Sequence, residues 1–373
     1  MRLPDFRLES YFAEYEFSVD HLLCPSDCEP VPMAELLALA DDADREHWER
    51  LSLGYTETRG DPELRRRIAA TYDSPGPDDI LTGAPQELIY LAMQELLEPG
   101  QRVVCLTPAY QSLFEVARAA GCAVDFWPLL DERDAHGGTR WGLDWEALER
   151  LLPGAALLVL NFPHNPTGFL PTEDEFRRLA ALAAEHGVRL FSDEMYRGLE
   201  FAERPRLPAA VDLDERAVSL SGLSKAHGLA GLRCGWLACR EPEAIARTEA
   251  RKLYTTICSP GPVEALSRIA LANAEALEAR CRDIVAANAA TAEAFCARHA
   301  DAFAWAPPLA GSVCFPELLG EDADAFCARA VEDAGILLLP ASIVGHDSNR
   351  LRLGLGRRSL PQGLDALDRF LRG

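Results

Sequence analysis

From about residue 60 the chain alternates short apolar runs with longer amphipathic stretches rich in Ala, Leu, Glu and Arg. The apolar runs Arg102–Leu106, Ala123–Trp127, Ala156–Asn161, Arg189–Ser192, Ala217–Leu220 and Cys234–Ala238 have strand length. Between them, Asp61–Tyr72, Gln86–Leu97, Tyr110–Ala120 and Glu173–His186 repeat apolar residues at helical spacing. Apolar strands separated by helices predict an α/β fold, a mainly parallel sheet covered on both faces. Turn chemistry agrees: Glu98-Pro99-Gly100 ends one helix, and Gly121 and Gly187 stand where C-terminal caps belong.

After Pro262 the rhythm changes. An alanine-rich stretch with few breakers, Val263–His299, predicts a long helix linking two domains. A smaller α+β region follows over Asp301–Gly373, with strands at Gly335–Leu339 and Arg350–Leu355 and a closing helix at Leu360–Leu371. The first 45 residues lack the strand–helix rhythm and are expected to pack with this C-terminal part. The expected division is a large domain, 46–275, and a small domain made of 1–45 and 276–373.

Composition narrows the function classes. With 48% hydrophobic residues in 373, the chain can bury a sizeable core. Its 37 basic against 59 acidic residues give a formal charge of −22, a surface that repels phosphate backbones and anionic lipid. Eleven cysteines are scattered without a Cys-x-x-Cys pair or histidines at zinc-finger spacing, so they are expected to be reduced and structural, with no metal site. The N-terminus lacks the pattern of a secretory signal, and no apolar run reaches the roughly 20 residues of a membrane span, which makes the cytoplasm the expected location.

Three predicted strands end in concentrated polar chemistry. Leu157–Phe162 runs into Pro163-His-Asn-Pro-Thr-Gly168; Arg189–Asp193 leaves a carboxylate at its tip, with Tyr196 three residues on; and Ala217–Gly222 delivers Ser224-Lys225, followed by a glycine-spaced turn to Arg233. In an open α/β sheet the binding crevice lies beyond the carboxyl ends of the strands. If these strands are neighbours, Asn165, Asp193, Tyr196, Lys225 and Arg233 share one crevice. Pyridoxal 5′-phosphate (PLP) chemistry asks for that set. A lysine forms an imine with the cofactor aldehyde and moves protons at the substrate Cα. A carboxylate keeps the pyridine nitrogen protonated, donors tune the phenolic oxygen, and helix-start N–H groups with a forked guanidinium hold the phosphate. The helix opening at Thr82-Gly83-Ala84-Pro85-Gln86 suits that last task. Taken singly, each residue has an ordinary reading: a surface lysine, a helix-capping aspartate, a turn, a structural arginine.

The motifs together resemble the fold-type-I, class I and II aminotransferases related to aspartate aminotransferase, from about Leu51 to the C-terminus. They are GYTETRGDPELRRRIA, GAPQE, PAYQSL, NFPHNPTG, SDEMYRGLE, SGLSKAHGLAGLRCGW and RLRLGLGRRSLPQGL. The resemblance implies a seven-stranded, mainly parallel sheet in the large domain and a role for each matching residue. Lys225 is then the internal-aldimine lysine and general base, Asp193 the pyridinium partner, and Asn165 and Tyr196 the donors to the phenolic oxygen. Tyr110 stacks on the ring, while Gly83, Ala84, Pro85, Ser224 and Arg233 form the phosphate cup. Tyr55 reaches the cofactor of the other subunit, implying a homodimer with shared sites. Arg352 grips the substrate α-carboxylate, with Arg350 as the competing assignment and Asn165 beside it.

The chain departs from the family pattern at several points. Gly222 stands where a phosphate-binding Ser or Thr is usual, and Pro85 has no N–H to offer. Leu253 is apolar where an acidic residue is common. Leu22–Glu29, reading LCPSDCE after its first residue, should fold over the site as a lid without naming a substrate. The implied reaction is transfer of an amino group between an L-amino acid and a 2-oxo acid. The alternatives are elimination, replacement or capreomycidine-synthase-like cyclisation of an amino acid, and, remotely, a regulatory PLP-binding module. The charge and the lack of a basic DNA-binding head weigh against the last.

Overall fold

The computed structural model describes residues 2–133, 139–201 and 204–372. The core is an eight-stranded sheet: β1 (Ile80–Gly83), β2 (Arg102–Thr107), β3 (Ala123–Arg133), β4 (Thr139–Leu143), β5 (Leu157–Asn161), β6 (Arg189–Asp193), β7 (Val218–Gly222) and β8 (Gly235–Ala238). Its spatial order is β1-β8-β7-β6-β5-β2-β3-β4. β3, β2, β5, β6 and β7 pair in parallel; β8 runs antiparallel to both β7 and β1, and β4 is antiparallel to β3. The expected seven strands thus become eight, because β3 extends beyond Trp127 and folds back on β4 as an edge hairpin. β1 and β4 had no strand signal of their own: each is short, and β4 contains Gly142.

The chain leaves β2 toward β3 on one side and returns to β5 on the other. Their carboxyl ends therefore flank a topological switch point, where a crevice opens. Helices cover both faces. Glu173–Glu185 starts with a reciprocal capping box between Thr172 and Glu175 and carries three acidic residues in its first turn. Gly121 and Gly187 take φ of 95° and 68°, as expected of caps after their helices.

The expected single helix over Val263–His299 is two, Gly261–Ala272 and Ala274–Arg298. The break is at Asn273, whose backbone leaves the helical region while its side-chain amide donates to the carbonyls of Ile269 and Leu39. Such side-chain competition for backbone groups is why Asn disfavours helix interiors. The expected strand Gly335–Leu339 also divides: Ile336–Leu337 pairs in parallel with His21–Leu22, and Leu339–Pro340 pairs with Leu351–Gly354. The N-terminal segment therefore divides its contacts. His21–Leu22 adds to the C-terminal region, whereas helices Met33–Ala38 and Asp42–Glu49 lie against Gly261–Ala272 of the sheet-bearing part.

Between these, Leu23–Glu29 runs as a strap over the backbone of Leu353–Gly356. Gly354 donates its N–H to Leu23, and Glu29 donates to Gly356. A side chain at Gly354 or Gly356 would collide with the carbonyls of Pro25 and Asp27, which explains the alternating glycines of Arg-Leu-Gly-Leu-Gly. All eleven cysteines are free, ten of them buried. No described helix is long and apolar enough to cross a membrane, and among the described residues no cluster of His, Cys, Asp and Glu could hold a metal ion.

Candidate active site

A cavity of about 460 Å³ opens at the carboxyl ends of the central strands. Asp193, Asn165, Tyr196, Ser224, Lys225, Arg233, Tyr110, Pro85 and Arg352, drawn from segments spread over some 270 residues of sequence, all line it.

The strand ends hold their side chains by local bonds. Asn161, the last residue of β5, donates its side-chain amide to the Asp193 carbonyl and accepts the Asn165 N–H, both at 2.9 Å. This clamps the Asn-Pro-Thr-Gly turn to the tip of β6. The Asp193 carboxylate is buried, and among the described residues it accepts one hydrogen bond, from the Met195 N–H at 3.1 Å. Burial pushes this carboxyl up to about 7, against the pull of that N–H and of Lys225. An uncompensated buried carboxylate of this kind fits a cationic partner such as a protonated pyridine nitrogen.

Among the described residues, the Lys225 side chain has no carboxylate within ion-pair distance. It donates to the Ser26 hydroxyl of the strap at 2.9 Å and lies 6.0 Å from the Tyr196 ring centroid. The Ser224 hydroxyl beside it is buried with no hydrogen-bond partner, a cost that a bound anion would remove. Arg233 holds a left-handed backbone (φ 52°), which is uncommon for a side-chain-bearing residue and is found where the surrounding structure demands it. Its guanidinium stands at the cavity rim and donates to the Ala230 carbonyl.

Gly83 and Ala84 form the turn from β1 into helix Pro85–Leu96, while Pro85 and Gln86 are the residues of that turn that reach the cavity wall. The absence of a hydroxyl at 222 has a steric reason. A Cβ on Gly222 would sit 2.9 Å from the Cys234 carbonyl and the Gly235 Cα, where β7 and β8 approach closely.

The two candidate carboxylate arginines part company in three dimensions. Both are fully buried. Arg350 turns to Asp131 (2.6 Å), to the Phe315 carbonyl and onto the Trp141 ring. Arg352 lines the cavity, donating to the Cys24 carbonyl at 3.1 Å and to the Asn165 side-chain oxygen at 3.3 Å. Tyr110 has its hydroxyl on Glu9 (2.7 Å) and its ring tilted against Phe6. Tyr55 is 88% exposed, away from its own chain's cavity.

Sequence reasoning passed over Asn161, included Gln86 and Ser26 only as members of a helix opening and an expected lid, and missed one wall of the cavity: Leu8, Glu9, Phe12 and Glu16. The first three carry no signal beyond adjacency to a motif. The wall had one, since spacings of one, four and eight residues place these side chains on one face of a helix, here Arg7–Tyr15 and its C-cap.

This constellation agrees with the comparisons to known proteins. The family model for aminotransferase class I and II matches residues 36–363. The chain belongs to the class I and II aminotransferase family. Capreomycidine synthase of Streptomyces vinaceus is 31% identical over 99% of this chain and 94% of its own. A probable N-succinyldiaminopimelate aminotransferase of Mycobacterium tuberculosis is 30% identical over 77% of this chain and 74% of its own. Among solved structures, a PLP-dependent aminotransferase from Streptococcus suis superposes with a TM-score of 0.91 at 26% identity, covering 100% of this chain and 98% of that one. The PLP-dependent cyclase OrfR superposes at 0.90 with 28% identity and the same coverages. The aminotransferase is thus a fold-type-I, PLP-dependent enzyme. The unpartnered Ser224 hydroxyl, the buried Asp193 carboxylate and the Lys225 amine, bonded only to the Ser26 hydroxyl among the described residues, would suit that cofactor's phosphate, ring nitrogen and aldehyde.

Proposed function

We propose that the chain transfers an amino group between an L-amino acid and a 2-oxo acid, in the cytoplasm, as a homodimer with shared active sites. The observation that carries this reading is one cavity lined together by the Lys225 amine, a buried carboxylate, Asp193, and a buried guanidinium, Arg352. PLP supplies an aldehyde that takes up the substrate amine and a ring that draws electrons from Cα.

The chain's own residues do the rest. Arg352, aligned by Asn165 and the Cys24 carbonyl, offers its remaining N–H groups to the α-carboxylate and so orients Cα. Lys225 takes the Cα proton and returns it as general base and acid, with the Ser26 hydroxyl to orient its amine. Asp193 keeps a proton on the pyridine nitrogen. Tyr196 and Asn165 donate toward the phenolic oxygen, and the Tyr110 ring covers one face. Ser224, Arg233 and the helix start after Gly83–Ala84 hold the phosphate; Pro85 contributes contact rather than an N–H. The strap Pro25–Asp27 and helix Arg7–Tyr15 supply the wall of the cavity opposite the strand ends. Exposed Leu53, Tyr55 and Tyr254 support a subunit interface on that side.

A second reading is favoured by a specific observation: the likeness to capreomycidine synthase runs over nearly the whole of both chains, whereas the diaminopimelate relative covers three quarters. Cyclisation or elimination would use the same lysine, aspartate and phosphate cup. One experiment separates the readings. The PLP-loaded protein is mixed with single amino acids, its absorbance followed and its products weighed. Transamination bleaches the yellow band, and a 2-oxo acid restores it. A cyclic product or released ammonia, without bleaching, would establish the second reading. Lack of any yellow band would remove Lys225 from its role.

A further inference from the structure

Assigning the charges of the cavity one by one leaves acid over. Its lining holds three cations, Lys225, Arg233 and Arg352, and four carboxylates, Asp193, Glu9, Glu16 and Asp27. In the function proposed above, Arg233 answers the phosphate, Arg352 the α-carboxylate and Asp193 the ring nitrogen. Asp27 is held by Arg357 at 2.7 Å. Glu9 and Glu16 remain, both from the N-terminal segment. Glu9 is fixed in direction by the Tyr110 hydroxyl, at 2.7 Å. The half-buried Glu16 carboxylate has no hydrogen bond or ion pair among the described residues; Asp27 and Glu9 act on it as like charges, and Arg357 and Lys225 as opposite charges beyond ion-pair distance.

Geometry decides which part of a substrate meets these groups. With the α-carboxylate at Arg352 and Cα at Lys225, the side chain is directed to the wall still unassigned, helix Arg7–Tyr15 and its C-cap. Arg352 lies 5.8 Å over the Phe12 ring, so the carboxylate end already abuts that helix. Leu8 and Phe12 give apolar surface for methylene groups, and Glu9 and Glu16, on the same helical face, stand where such a chain would end.

We propose that the N-terminal segment selects L-amino acids whose side chain ends in a positive charge, an ammonium or a guanidinium, with Glu16 as its principal partner and Glu9 beside it. This rests on the cavity being an amino-acid site. Burial first, then the neighbouring Asp27 and Glu9, raises the Glu16 carboxyl above the usual range against the pull of Arg357 and Lys225, so the negative charge of this wall is not fully offset by its neighbours. A cationic side chain relieves this. A neutral one brings Glu16 no counter-charge in direct contact, and an anionic one adds a further like charge.

The test titrates the PLP-loaded enzyme with L-ornithine and L-arginine against neutral counterparts of similar length, L-norleucine and L-citrulline, following cofactor absorbance. The cationic member of each pair should bind about tenfold or more tightly. Glu16→Gln should reduce that ratio to about threefold and Glu9→Gln/Glu16→Gln to about one. Neutral counterparts that bind as tightly as the cationic ones, or a ratio that survives the double substitution, would overturn the inference while leaving the amino-acid site intact. A spectrum that none of the four amino acids alters would overturn the underlying reading and this inference with it.

Discussion

The two sides of the cavity are built in opposite ways. The cofactor side consists of strand ends: β5, β6 and β7 each stop at a short motif, and the parallel sheet brings the motifs together by its geometry alone. The substrate side consists of a helix, a strap and one C-terminal strand. These are joined through backbone bonds between Leu23–Glu29 and Leu353–Gly356 and through the Lys225–Ser26 contact. In the proposed function, the chemistry common to the family is carried on the rigid element, and selection among substrates on the element docked over it.

Substitutions should divide along the same line. Lys225→Ala strikes the cofactor side hardest: turnover falls by at least about 10³-fold and the yellow band disappears, while circular dichroism keeps the native fold. Wild-type turnover in that variant would erase the distinction between the two sides. Arg352→Ala strikes the substrate side. Losing a buried charged pair costs about 2–5 kcal/mol, so KM for the amino acid should rise roughly 30- to 4,000-fold, with the cofactor still bound. Arg350→Ala should instead lower the melting temperature through its lost Asp131 pair and leave KM in place. The reverse pattern would exchange the two arginines.

Asp193→Asn should lower kcat by about 10²- to 10³-fold. It also has a pH signature in the cofactor-free protein. The folded carboxyl releases its proton at about 7, the unfolded one at 3.8. Folding therefore takes up a proton between these values, and the stability this group contributes is lost as pH rises through that window. Wild type should lose more melting temperature than Asp193→Asn between about pH 4 and about pH 7; parallel curves would mean the carboxyl is not raised. The smallest effect belongs to Ser224→Ala. One hydrogen bond to the phosphate is worth about 1–2 kcal/mol, so the PLP dissociation constant should rise roughly 5- to 30-fold, read by equilibrium dialysis.

The strand–helix alternation, the caps at Gly121 and Gly187 and the polar strand ends were legible because each is a local pattern: period, punctuation, and a motif at a predictable place. The hairpin partner β4 and the break at Asn273 were not, since a short edge strand forms only against its neighbour and an Asn in an alanine-rich helix declares itself only through its partner Leu39. Within the site, a hydroxyl missing at 222 read as a departure from pattern. The close approach of β7 and β8 turns it into a steric requirement.

Sequence alone determined the family, the cofactor chemistry and the candidate residues of the cofactor side, because those residues lie in contiguous motifs whose chemistry is recognisable without their surroundings. Tertiary structure alone decided which of two arginines, two residues apart, enters the cavity, and that Glu9 and Glu16 line the same cavity as a lysine more than 200 residues away in sequence. The reason is physical: the direction a buried side chain takes depends on what packs around it, and the charge of a site is the sum over elements that only folding brings together.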